Sequence, residues 1–167
     1  ERALNHPNMD VLAYSEVAEI DGYLGNFTVT VRARPRFVDA EKCTACGKCV
    51  KACVLAGQIP DEFQAGLAER GAIYQPFPEA LPATYTVDPD HCLMLVEGAC
   101  EEGPPCALAC PEDAVNFGQA MEERKLEVGA IIVATGYDPF DTGRKPEFGY
   151  NQYPGVITAL EFERMAA

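Results

Sequence analysis

Apolar and polar residues alternate along much of the first forty positions, as they do in β-strands. Residues 11–14, 16–20 and 27–31 form three such runs, and residues 21–26 contain the turn formers Asp, Gly and Asn. The pattern predicts a β-hairpin with one additional strand.

Short helices are predicted in the middle of the chain. One helix is expected at residues 47–56, stopping before Gly57, a second at residues 61–69 with Asp61 as its N-cap, and a third at residues 105–110. Four prolines between positions 76 and 89 exclude a continuous helix or a central strand there. This stretch is predicted to be a strap, and residues 114–117 a returning strand.

The last forty residues contain one apolar run and one helix signal. Residues 129–136 read Gly-Ala-Ile-Ile-Val-Ala-Thr-Gly, a β-branched run that predicts a buried parallel strand with a turn at its carboxyl end. Thr158 and Glu161 have the spacing of a capping box, so a terminal helix is expected through Met165.

All eight cysteines of the chain fall into two groups of four. The first group has the spacing C-x2-C-x2-C-x3-C, and the second, C-x7-C-x5-C-x3-C-P, is looser at its start. The first spacing is typical of [4Fe-4S] sites, and in two-cluster ferredoxins the fourth cysteine of each group serves the opposite cluster. The predicted ligands are therefore Cys43, Cys46, Cys49 and Cys110 for cluster I, and Cys92, Cys100, Cys106 and Cys53 for cluster II.

A short repeat leads into each cysteine group. Residues 38–43 read Val-Asp-Ala-Glu-Lys-Cys, and residues 87–92 read Val-Asp-Pro-Asp-His-Cys. Because both copies end on the first cysteine of their group, they indicate two half-modules of common design.

The cysteines also allow two other interpretations. The first is a secreted disulfide framework, but the close spacing argues against it, because such a framework does not need cysteines this close together. Structural zinc normally takes two separated pairs of ligands, yet a zinc-stapled interaction domain with no redox role remains the alternative. His91, beside Cys92, is expected to be an exposed neighbour of the site, and His6 a loop residue.

The charge of the chain limits its partners. With 26 acidic and 13 basic residues, the formal net charge is −13, which argues against binding to nucleic acid or to an anionic membrane. No apolar run approaches the roughly 20 residues that span a bilayer. Eight closely spaced thiols indicate a reducing compartment, so a cytoplasmic location is expected.

Six segments together resemble one family, the heterodisulfide reductase A subunits, which are iron-sulfur flavoproteins of methanogens. They are the first cysteine motif and residues 4–8, 22–27, 59–63, 72–78 and 128–136. Two features depart from the family pattern: Val54 stands where proline often follows the fourth cysteine, and the second motif is expanded. Without that proline, the first cysteine helix is expected to continue to Gly57.

The resemblance implies an α+β fold in which a ferredoxin-like domain with two [4Fe-4S] clusters is inserted into a thioredoxin-reductase-like FAD domain. Residues 36–118 would be the insert, and residues 1–35 and 119–167 would be β-rich pieces of the host domain. The glycine-rich turn that binds FAD would lie before Glu1, while Ala134, Thr135 and Gly136 would lie near FAD in the complete parent. The segment would carry no catalytic residues of its own and would pass electrons between FAD, clusters and partner subunits.

Overall fold

The computed structural model describes residues 6–100 and 103–167 of this α+β chain. Its elements are short, and two 3₁₀ turns, Thr142–Arg144 and Pro146–Phe148, precede the last helix. The strands are β1 Ser15–Tyr23, β2 Asn26–Ala33, β3 Ile59–Pro60, β4 Glu69–Arg70, β5 Ile73–Tyr74, β6 Thr86–Val87 and β7 Glu122–Val128, and the helices are α1 Lys48–Ala52, α2 Leu93–Val96, α3 Pro105–Leu108 and α4 Ala159–Ala166.

The predicted hairpin is confirmed. Strands β1 and β2 pair antiparallel, and Tyr23 opposite Asn26 closes a two-residue turn. Gly22 has a φ of +101°, and a Cβ atom there would lie 2.2 Å from the Asn26 carbonyl oxygen. Only glycine fits this position without moving the backbone.

The third strand of this sheet is not the one that the apolar pattern predicted. Residues 11–14 form no strand, and β7 instead pairs antiparallel with β2, opposite β1. Its sequence is largely charged, and Arg32 on β2 forms ion pairs with Glu123 on β7 and Glu16 on β1. Cross-strand ion pairs of this kind support a sheet that periodicity alone does not reveal.

Residues 129–136 are not a buried parallel strand. They have no regular secondary structure, and Ile132 and Val133 are 93% and 75% exposed. A buried strand needs neighbours on both sides. In the described part of the chain β7 ends at Val128, and no strand pairs with residues 129–136.

The insert between β2 and β7 has its own small core. It contains three strand contacts, β3 with β4, β5 with β6, and a single bridge between Val38 and Val115. The predicted strand at residues 114–117 is thus reduced to that one bridge. The core residues are Phe37, Val38, Cys49, Ile59, Ala72, Ile73, Val87, Cys92, Cys106, Ala114 and Val115.

Helix α1 is shorter than predicted. It ends at Ala52, because Cys53 adopts an extended conformation with ψ 131°, and residues 54–57 form turns. The predicted continuation of the helix to Gly57 is therefore wrong. Helix α3 begins with Pro105 at its first turn, as proline allows, and ends before Cys110.

Residues 61–69 form turns instead of the predicted second helix. The Asp61 carboxylate does accept hydrogen bonds from the N–H groups of Phe63 and Gln64. Ala65 and Gly66 then adopt positive φ angles of 53° and 76°, which reverse the chain and lead into β4. The capping signal was correct, but the chain leaves the helical conformation after one turn.

Helix α4 is confirmed with its capping box. The Glu161 N–H donates to Thr158 Oγ1, and the Thr158 N–H donates to the Glu161 carboxylate at 2.6 Å. The Arg164 guanidinium stacks 4.0 Å above the ring of Phe63, which itself stacks on Phe77. The helix is therefore in contact with the insert.

A buried arginine joins three parts of the insert. Arg70 is 7% exposed, donates to both oxygens of Glu62, and donates to Asp88 Oδ2 at 2.7 Å. Its guanidinium also lies 3.8 Å from the ring centre of Tyr74. Burial opposes the ionised form of Asp88, but the hydrogen bonds from Arg70, the Asp90 N–H and His91 together outweigh it and lower the pKa of that carboxyl.

Replacing Arg70 with Met should destabilise the protein strongly, because Asp88 would remain buried without its partner. Breaking a buried pair on one side costs about 3–5 kcal/mol, which corresponds to roughly 10 °C in the thermal midpoint at this chain length. The matched control is Arg34→Met, since Arg34 is exposed and pairs with Glu16 at the surface. That change should leave the thermal midpoint almost unchanged, because solvent screens an exposed ion pair. Equal thermal midpoints for the two anaerobically prepared variants would contradict the role of Arg70.

Candidate metal centre

Four cysteines line the first of two small cavities in the insert. Cys43, Cys46 and Cys49 come from the first group, and Cys110 comes from the second. Together they surround a small space that no protein atom fills. The rest of the wall consists of Val38, Thr44, Tyr85, Glu112, Ala114 and Val115.

The other four cysteines line the second cavity, which is similarly small. Cys92, Cys100 and Cys106 come from the second group and Cys53 from the first. Apart from the cysteines, the described residues of this wall are all apolar. It consists of Val54, Leu55, Ala72, Leu93, Met94, Pro104, Pro105 and Phe117.

Helices α1 and α3 explain why each group contributes to both cavities. The two helices pack against each other. Cys49 lies within α1 and Cys53 directly after it, while Cys106 lies within α3 and Cys110 two residues after its end. One helical turn thus separates a cysteine of one cavity from a cysteine of the other.

The repeated lead sequences adopt the same local structure. The Asp39 carbonyl accepts a hydrogen bond from the Cys43 N–H at 3.0 Å, and its carboxylate accepts one from the Glu41 N–H. Asp88 makes the equivalent bonds to the N–H groups of Cys92 and Asp90. The repeat is therefore structural, and it places Cys43 and Cys92 at matching positions.

Burial makes several of these thiols hard to ionise in the protein alone. It raises the pKa of Cys49 to about 11 and that of Cys106 to about 12, and it also raises the pKa of Cys92. Metal centres bind thiolates, and the positive charge of the metal offsets the cost of burying them. Four sulfurs around one small cavity are thus a donor set that fits an iron-sulfur cluster.

Comparison with known proteins agrees with this donor set. A family model described as "4Fe-4S binding domain" matches residues 34–54, which contain the first cysteine group. The iron-sulfur A subunit of CoB–CoM heterodisulfide reductase from Methanocaldococcus jannaschii is 47% identical over 96% of the chain. The first of two such A subunits from Methanopyrus kandleri is 49% identical over 96% of the chain.

The chain belongs to the family of heterodisulfide reductase iron-sulfur A subunits. The resemblance found in the sequence is therefore confirmed. A further member is the A subunit of the H(2)/formate:CoB-CoM heterodisulfide,ferredoxin reductase of Methanococcus maripaludis, 47% identical over 98% of the chain. The chain spans 23% of the length of each of these three relatives.

Neither histidine of this heterodisulfide reductase family member lines a cysteine cavity. His91 is half exposed, and its Nδ1 lies 2.9 Å from Asp88 Oδ2. His6 is exposed, and its Nδ1 accepts a hydrogen bond from the Asn8 N–H. Both agree with the roles expected from the sequence. Ala134, Thr135 and Gly136 are exposed and line neither cysteine cavity.

Sequence reasoning missed the residues that the strap brings to the first cavity. Tyr85 forms part of its wall, and Thr84 beside it is 1% exposed. Neither residue is close in sequence to Cys43, and no spacing rule joins them to it. Within the described ranges, no helix combines the length and apolar character needed to cross a membrane.

Proposed function

We propose that this chain is an electron-transfer module that carries two [4Fe-4S] clusters. Cluster I would be held by Cys43, Cys46, Cys49 and Cys110, and cluster II by Cys92, Cys100, Cys106 and Cys53. The observation that carries the proposal is the distribution of the eight cysteines over two cavities, each with three thiols from one group and one from the other.

The arrangement of the thiols favours clusters over zinc. All eight thiols are free. Across residues 6–100 and 103–167, no three His, Cys, Asp or Glu side chains are grouped closely enough to hold one metal ion. A zinc ion needs its ligands to converge on one point, whereas a cubane fills a cavity between them.

The chemistry expected of such clusters is one-electron transfer without bond formation. Four thiolates on each cluster would leave no iron open to a substrate. The chain itself supplies the ligands and largely apolar walls, and it leaves one cysteine, Cys46, exposed. The low polarity of the second cavity would keep its cluster away from solvent.

We further propose that residues 36–118 are a ferredoxin-like insert in a thioredoxin-reductase-like FAD domain, with residues 1–35 and 119–167 as pieces of that host. Two observations support this division. The chain leaves the sheet at Ala33 and re-enters it at Glu122, directly opposite. Exposed apolar residues after β7, such as Ile132 and Tyr137, resemble a surface that other parts of a domain would cover.

In the complete parent, the module would relay electrons between FAD, the two clusters and partner subunits of a heterodisulfide-reductase-like complex. The relatives are named as subunits of reductases, which supports a multi-subunit redox assembly. Ala134, Thr135 and Gly136 would lie near the FAD of the host domain.

The metal content gives the first test. An anaerobically prepared sample should contain about eight iron atoms and eight acid-labile sulfides per chain, because two cubanes use all the cysteines. The sample should absorb in the visible range and bleach with dithionite. About four iron atoms and four sulfides per chain would mean that the protein holds only one cluster. One or two zinc ions without sulfide would favour a structural zinc domain.

The crossed ligand sets can be tested with paired variants. Cys53→Ala combined with Cys92→Ala should remove only cluster II and leave about four iron atoms per chain. Cys53→Ala combined with Cys43→Ala should remove one ligand from each cluster and leave close to none. If the two results were exchanged, Cys53 would belong to cluster I and the crossing would be wrong.

A further inference from the structure

The segment that carries the first cysteine group is basic in an otherwise acidic chain. Residues 42–60 contain three lysines and no acidic residue, whereas the formal net charge of the whole chain is −13. Residues 92–113, which carry the second cysteine group, contain five acidic residues and no lysine or arginine. The two cysteine groups therefore lie in segments of opposite charge.

Two of the three lysines, Lys48 and Lys51, are exposed on helix α1. They are three positions apart, so they are neighbours on one face of the helix. The Lys51 N–H donates to the Gly47 carbonyl oxygen at 3.3 Å, which places Lys51 one helical turn from the residue that follows Cys46. Neither lysine forms an ion pair with a residue that the structure describes. Their charges are therefore available to a partner.

The acidic groups near this surface compensate only part of its positive charge. Lys42 Nζ lies 4.0 Å from Asp39 Oδ2, so the charge of this third lysine is partly compensated. Glu112 is exposed and is the one acidic side chain among the described residues that line the first cavity. The positive charge of the surface therefore comes mainly from Lys48 and Lys51.

The first cavity is closest to solvent beside these two lysines. Cys46, two residues before Lys48, is the one exposed cysteine of the eight, and it lines this cavity together with the exposed Thr44. The four cysteines of the second cavity are buried or partly buried. A cluster in the first cavity would therefore be most accessible to another redox protein at Cys46.

We propose that Lys48, Lys51 and the exposed Cys46 form a docking surface for a redox protein that carries carboxylates around its own redox centre. This inference rests on the proposed function. Opposite charges steer two proteins together and fix their orientation, and complexes between redox proteins need only a small interface. The acidic charge of the rest of the chain would disfavour other orientations of such a partner.

The reaction at this surface would be the transfer of one electron. The reduced carrier would lose the electron and cluster I would gain it beside Cys46. No bond would form or break, and no proton would move. The lysines would act only by bringing the two redox centres close together.

The first test measures binding to a plant-type [2Fe-2S] ferredoxin, an acidic one-electron carrier. Both proteins are kept oxidised and anaerobic, so a change in reduction potential does not affect the result. At about 10 mM salt, Lys48→Gln combined with Lys51→Gln should raise the dissociation constant about fivefold, because two exposed charge pairs are lost. At about 1 M salt, where charges are screened over about 3 Å, the variant and the parent should bind equally weakly.

The second test measures the electron transfer itself by anaerobic stopped flow, with the ferredoxin reduced beforehand. The second-order rate constant should fall about fivefold in the same double variant at low salt. The lysine changes should have the same effect when Cys53→Ala and Cys92→Ala are also present, because that protein would keep only cluster I.

Two further pairs of substitutions are matched controls. Lys125→Gln with Lys145→Gln removes the same amount of charge from exposed residues that line neither cysteine cavity. This pair should change the dissociation constant less than about twofold. Lys48→Arg with Lys51→Arg keeps the positive charge and should bind as the parent does. Iron and sulfide are measured in every variant, and the single lysine variants are compared if the double variant holds no clusters.

The outcomes separate the docking surface from the proposed function. A parent protein without iron and sulfide would overturn the proposed function. A parent with both clusters, but with the same affinity in the two glutamine pairs, would overturn only the docking surface. A loss of affinity that persists at about 1 M salt would also overturn it, as would a lysine effect that disappears when only cluster I is present.

Discussion

The arrangement of the insert depends on two helices of about one turn that pack against each other. Helix α1 ends where Cys53 begins, and α3 ends just before Ala109 and Cys110. Each helix therefore connects the two cavities over the length of one turn. Because each cavity takes cysteines from both groups, neither half of the insert can complete its set of thiols alone. The repeated half-modules are thus joined into one folding unit.

Charge compensation is the second constraint. Burial raises the pKa of Cys49, Cys92 and Cys106, so these thiols would stay protonated in a protein without metal. Clusters would remove the protons and link both groups, which couples folding to metal binding. A second buried charge is compensated within the protein. Asp88, on the loop that leads to Cys92, is negatively charged and buried, and the positive charge of Arg70 compensates it. The Arg70 guanidinium therefore compensates the buried charge of Asp88, and bound clusters would compensate the charge of the buried thiolates.

Local signals in the sequence predicted the hairpin, the capping box of α4, the strap and the repeat before each cysteine group. All of them depend on residues close together in the chain, such as the Thr158 and Glu161 pair. The errors arose where distant residues decide the structure. Strand β7 is stabilised by pairing with β2, almost a hundred residues earlier, and Glu123 finds its partner in Arg32. The left-handed Ala65 and Gly66 end the turn after Asp61, which a capping signal cannot foresee. Tyr85 reaches the first cavity only because the strap folds back over it.

The irregular spacing of the second cysteine group also has a structural explanation. The seven residues between Cys92 and Cys100 contain helix α2, whose Leu93 and Met94 form part of the cavity wall. The Ala99 N–H donates to the Leu93 carbonyl oxygen at 3.2 Å, which turns the chain back toward the cavity. The longer spacing therefore still brings Cys100 beside Cys92, and it adds apolar side chains that a compact C-x2-C motif has no room to supply. Pro104 and Pro105 complete this wall and begin α3. Among the described residues, expansion of the motif thus makes the wall of the second site more apolar than that of the first, where Cys46 is exposed and Tyr85 and Glu112 form part of the wall.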